Sequence, residues 1–89
     1  MTWQMIYALI KRVISRHSNL EIHEIFADDQ LSKFYTSTGL LGFASALNSK
    51  FADNGTPIPN PGLVGTDTAN ADTVRAIAGR IAELFGLNG

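Results

Sequence analysis

The sequence predicts an all-α fold, a small antiparallel bundle of three main helices plus a short helix. Apolar residues recur at helical spacing in three separate stretches, and a stretch rich in proline and glycine separates the second from the third. Eighty-nine residues are enough for one domain, taken as residues 1–89, with a core of modest stability. No internal repeat or low-complexity tract competes with that organisation.

The first stripe runs through Trp3, Ile6, Ile10, Val13, Ile14 and His17, with Gln4, Lys11, Arg12 and Ser15 between its members. It predicts an amphipathic helix of about 16 residues beginning at Thr2. Its cations fall in its second half, where they complement the negative end of the helix dipole. Residues 18–34 follow neither a helical period nor a strand alternation. They read as a structured loop whose Leu20, Ile22, Ile25, Phe26 and Leu31 tuck into the core, with a single turn at residues 28–32. The second stripe, Leu40, Phe43, Ala44, Leu47 and Phe51, predicts the central helix, preceded by the hydroxyl residues Thr36, Ser37 and Thr38. Residues 52–72 then hold all three prolines, which forbid a helix through their own stretch. A short helical turn near residues 63–66 is expected there, tethered to the core by Ile58 and by Leu63 or Val64. The last stripe is Val74, Ile77, Ala78, Ile81, Leu84 and Phe85, with Asn70 or Asp72 as candidate cap and Gly86 as terminator.

Composition narrows the function classes. Without cysteine the chain has no disulfide, no thiolate metal site and no cysteine nucleophile, in keeping with a reducing cytoplasm. A formal net charge of −1 gives no argument for nucleic-acid binding. The apolar run at residues 5–10 is followed rather than preceded by Lys11 and Arg12, so no signal peptide is expected. Residues 39–47 are half the length of a membrane span. A soluble, cytoplasmic monomer is the resulting expectation.

The chemistry concentrates at residues 35–51. A hydroxyl at the mouth of a helix can either cap the helix or hold a phosphate, since backbone N–H groups and the positive dipole end converge there. Both roles are open for Ser37. His17 and His23 lie six apart across a helix boundary with no third ligand at a recognisable spacing, so no metal site is read from them. Nor does Ser37 with either histidine make a catalytic triad, because no acid stands at a telling spacing. The chain is not read as an enzyme.

In order and spacing, the sequence resembles the acyl carrier protein family. Thr36-Ser37-Thr38 stands where the family has Asp-Ser-Leu, and the aliphatic helix ending Ala46-Leu47 and Phe51 follows at the usual interval. Ile58-Pro59 resembles the Ile-Pro beyond that helix. Thr73-Val74 resembles the pair that opens the last one, and residues 25–31 resemble the segment leading to the motif. The resemblance implies a helix, a long loop, a motif helix, a short third helix and a fourth. It implies a 4'-phosphopantetheine on Ser37, flanked by Thr36 and Thr38, attached by a phosphopantetheinyl transferase and carrying acyl groups as thioesters for acyl-transferring or acyl-activating enzymes. It also implies an apolar bundle interior that could shelter an acyl chain. A specialised fatty-acid, lipid or polyketide-type pathway is the expected setting.

The motif departs from the family's pattern at both flanks, and no acid lies between Thr36 and Lys50. The acidic face with which typical carriers steer toward basic partners is therefore missing. Gly39, Leu41, Gly42, Ser45 and Ser49, with Thr38, are read as a smooth partner-facing surface. The alternative reading is a carrier-like protein-interaction module that uses this surface without a prosthetic group.

Overall fold

The structure is a computed structural model that describes residues 1–87. Four α-helices form the bundle: α1 (Trp3–Ser18), α2 (Ser37–Asp53), α3 (Gly65–Asn70) and α4 (Val74–Leu84). Two 3₁₀ turns, Ile22–Glu24 and Leu31–Lys33, lie in the loop between α1 and α2. Helix α1 packs against both α2 and α4, and α3 packs on α2. Contacts of Met5 with Asn54 at one end and His17 with Tyr35 at the other set α1 and α2 antiparallel. The all-α bundle and its order of elements are those that the sequence predicts.

The stripes become the core. Ile6, Leu9, Ile10, Val13 and Ile14 of α1 meet Phe43, Ala44, Leu47 and Phe51 of α2 and Val74, Ile77, Ala78, Ile81 and Ala82 of α4, all buried in one cluster. Phe43, Leu47 and Phe51 are fully buried, and each aromatic or leucine side chain of this kind stabilises the fold by roughly 1.5–3 kcal/mol relative to an exposed one.

Each long helix starts with threonine. Thr2, Thr36 and Thr73 are the N-caps of α1, α2 and α4, their hydroxyl oxygens accepting from Met5 N, Gly39 N and Ala76 N at 3.1 Å. The cap of α4 is thus neither Asn70 nor Asp72: Asp72 instead gives its carbonyl to Leu31 N at 2.9 Å. Glycine closes two helices. Gly55 and Gly86 have φ of 81° and 76°, and the following residues, Thr56 and Leu87, donate back to Phe51 O and Ala82 O. A left-handed residue of this kind lets a helix satisfy its last carbonyls, and only glycine adopts it without steric cost.

The loop between α1 and α2 is tied to the start of α4. Besides the Leu31–Asp72 bond, Val74 N donates to Asp29 O at 3.0 Å and Arg75 N to Ala27 O at 2.8 Å. With Thr73 serving Ala76, the first three N–H groups of α4, which no helix can satisfy internally, all find acceptors. This bonding explains where the loop's apolar residues go. Ile25 and Leu31 are buried, whereas Ile22 and Phe26 stay 43% and 61% exposed, contrary to the expectation that all would tuck inward. The bonds fix the backbone, and alternate side chains then face opposite ways. The turn near its end covers Leu31–Lys33, and a second, at Ile22–Glu24, stands where none was predicted.

The short helix lies two residues later than its predicted start, at Gly65–Asn70, with Leu63 rather than Val64 as its anchor: Leu63 is buried and Val64 half exposed. Six residues cannot sustain a helix alone. The hydroxyl of its one buried polar side chain, Thr68, has one proton to donate and lies within hydrogen-bond reach of the carbonyls of Leu40 in α2 and Gly65. Thr68→Val keeps the shape but removes the donor to these part-buried carbonyls, and is expected to destabilise by about 0.5–1.5 kcal/mol. Urea denaturation followed by circular dichroism measures this; an unchanged midpoint would show that the hydroxyl does not hold α3 in place.

Candidate functional site

Thr36 and Ser37 divide the start of α2 between them. Thr36, extended at φ −77° and ψ 170°, takes the cap position, and Ser37 is the first helical residue. The role of cap, one of the two open for Ser37, therefore belongs to its neighbour. Ser37 is exposed, and its hydroxyl makes no hydrogen bond with the described residues. The N–H groups of Ser37 and Thr38 likewise have no acceptor among the described residues. They lie at the positive end of a 17-residue helix, the arrangement that favours an anionic group.

Outward from Ser37, the predicted surface residues share one side of α2. Thr38, Leu41, Gly42, Ser45 and Ser49 are all exposed, opposite the buried Phe43, Ala44, Leu47 and Phe51. Gly42 has open space where a Cβ would stand, whereas at Gly39 a Cβ would lie 3.3 Å from Thr36 Oγ1 and 3.5 Å from the Tyr35 ring. Gly39 is half-buried beside the cap and does not share the open surface. Leu41 is 55% exposed and reaches over Gly65, where a Cβ would come within 2.8 Å of its Cδ2. The exposed side of α2 thereby runs on to α3 and to half-exposed Val64.

The chain matches no family model, no curated protein and no solved structure. The site is accordingly read from its own geometry.

Behind Ser37 stands an aromatic prop. Tyr35 stacks on Phe43 with ring centroids 4.5 Å apart, and its hydroxyl shares a 2.8 Å hydrogen bond with His17 Nδ1 at the end of α1. A stacked aromatic pair adds about 0.5–1.5 kcal/mol to the burial of the rings. Burial pushes the Tyr35 phenol well above its ordinary range, because the phenolate would lose solvation there. In the unfolded chain the same phenol ionises near pH ~10. The group's contribution to stability is therefore complete below about pH 10 and is lost as pH rises beyond it. Tyr35→Phe is expected to flatten the alkaline decline of the unfolding midpoint; an equally steep decline in the variant would assign it to other groups.

Two further residues escape sequence reading. Asn48 carries no signal in the sequence, yet its amide clamps the proline-bearing loop: Nδ2 donates to Leu63 O at 2.8 Å and Leu63 N donates to Oδ1 at 2.9 Å. His17 carries the link to Tyr35, eighteen residues away, which no local spacing reveals. His23 is exposed. Among the described residues no cluster of three or more His, Cys, Asp or Glu could hold a metal ion, and no helix is long and apolar enough to cross a membrane.

Proposed function

We propose that this chain is an acyl carrier that holds acyl intermediates as thioesters on a 4'-phosphopantetheine esterified to Ser37. One observation carries the reading: Thr36 takes the cap, leaving the Ser37 hydroxyl exposed and unengaged at the head of α2. A serine needed only for helix stability would occupy the cap position itself. The residues fit the group, since the free N–H groups of Ser37 and Thr38 and the helix dipole favour the negative charge of a phosphodiester. The prosthetic arm supplies the thiol that this cysteine-free chain lacks. Ser37 contributes the ester oxygen, Thr36 fixes where the helix begins, and the Tyr35–Phe43 stack holds the entering chain in place.

The outer side of α2 bears no carboxylate before Asp53, so docking rests on shape and apolar contact around Leu41, Gly42 and Ser45. The partners in this reading are a phosphopantetheinyl transferase and acyl-activating or acyl-transferring enzymes whose docking surfaces do not depend on an acidic carrier helix. Incubation with coenzyme A and a broad-specificity transferase, followed by intact-mass measurement, is expected to add one phosphopantetheinyl group. No addition with several transferases, one of them from the source organism, would refute the proposal.

A further inference from the structure

Of the seven lysines and arginines in the chain, Lys33, Arg75 and Arg80 each lie within 4.0 Å of a carboxylate. Among the described residues, Lys11, Arg12, Arg16 and Lys50 have no such partner, and the last three of these four line one cleft. Arg12, Arg16 and His17 of α1 face Lys50 and Asp53 of α2 across a cleft of about 160 Å³. Val13 and Ala46 contribute the apolar wall between the helices, and the small side chains of Ala46 and Ser49 leave the space open.

Helix stability explains only part of the arrangement. Arg16 lies in the last turn of α1 and Lys50 in that of α2, where each balances the dipole of its own helix. Arg12 lies before that turn, outside the short range of the effect. Arg12 and Arg16 are also an i, i+4 like-charge pair, which is unfavourable on a helix, and antiparallel packing places Lys50 on the same cleft. Asp53 is the one carboxylate of the lining, and it stands more than 4.0 Å from every lysine and arginine. The cleft therefore holds three permanent positive charges against one negative, on side chains with several N–H donors each.

We propose that the cleft between α1 and α2 binds a phosphate-type oxyanion with two or more negative charges. An anion seated there relieves the repulsion among the cations, and the guanidinium groups offer the planar, bidentate geometry that suits phosphate oxygens. The size of the space fits one or two phosphate groups rather than a polymer chain. This site is separate from the Ser37 end of α2 and does not depend on how Ser37 is used.

The test is an NMR titration of the whole chain with pyrophosphate at low ionic strength. Saturable shifts confined to residues around Arg12, Arg16 and Lys50 are expected, weakening as salt is added. Arg12→Gln with Arg16→Gln should reduce the affinity by about tenfold or more while circular dichroism stays unchanged, and Lys50→Gln alone should show a smaller loss of the same kind. Vesicles containing phosphatidic acid distinguish the source of the oxyanion: co-sedimentation that the double variant loses points to a lipid headgroup, and its absence alongside pyrophosphate binding points to a soluble phosphate. Shifts that never saturate, or that persist in both variants, would overturn the proposal. So would a response to an acidic glutamate peptide but not to pyrophosphate, which would make the cleft a contact for a protein.

Discussion

Ser37→Ala is expected to lose the phosphopantetheinyl mass completely while keeping the fold. The hydroxyl makes no hydrogen bond with the described residues and the side chain is exposed, so its removal should change stability by no more than about 0.5 kcal/mol. Thr36→Ala should do the reverse. It removes the acceptor of the 3.1 Å bond from Gly39 N and is expected to cost about 1 kcal/mol, with attachment still possible because the ester oxygen remains. The pair of variants separates two roles that adjacent hydroxyls could share. Intact mass after incubation with coenzyme A and a transferase reads the first, and a thermal melt reads the second. Attachment retained in Ser37→Ala would move the site elsewhere. A large loss of stability in that variant would make Ser37 a structural residue.

Phe43→Ala is expected to have the largest effect on the fold. Phe43 is fully buried, one turn and a half beyond Ser37, and its ring carries Tyr35. Removing it costs the transfer energy of an aromatic side chain and leaves a cavity, together about 3–5 kcal/mol. A domain of this length has a total stability of only roughly 4–13 kcal/mol, so the variant should lose from about a quarter to all of it. Leu41→Ala, two residues away on the same helix but 55% exposed, should change stability by about 1 kcal/mol or less. A urea series on the two variants contrasts the inner and outer sides of α2. Equal losses would mean that Leu41 is held far more tightly than its exposure indicates.

How much of this was legible in the sequence depended on whether the cause was local. The stripes of α1, α2 and α4 are set by burial at helical spacing, and each became a helix close to its expected bounds. Caps were less legible, because several competent residues stand side by side. Asp72 is as good a cap as Thr73 by type, but a carbonyl drawn away to Leu31 decides between them. The same competition separates Thr36 from Ser37. Phe26 was misplaced because its neighbours Ala27, Asp29 and Leu31 are held by backbone bonds to the entry of α4, a partner about half the chain away. Neither Asn48 nor the cleft of Arg12, Arg16 and Lys50 has any periodic signature. One is a clamp on a distant loop, and the other exists only once two helices lie antiparallel.

The backbone bonds between residues 27–31 and the entry of α4 have a consequence for movement. Leu31, Val74 and Arg75 donate across a junction between parts of the chain that are far apart in sequence, so closing it requires ordering a long intervening loop. Once closed, neither side can open alone without exposing the other's unpaired backbone groups. The segment that delivers the chain to Ser37 therefore behaves as an anchored lever rather than a swinging arm. Under the proposed function, any excursion of Ser37 would have to come from the attached group itself or from a cooperative opening that also uncaps the last helix.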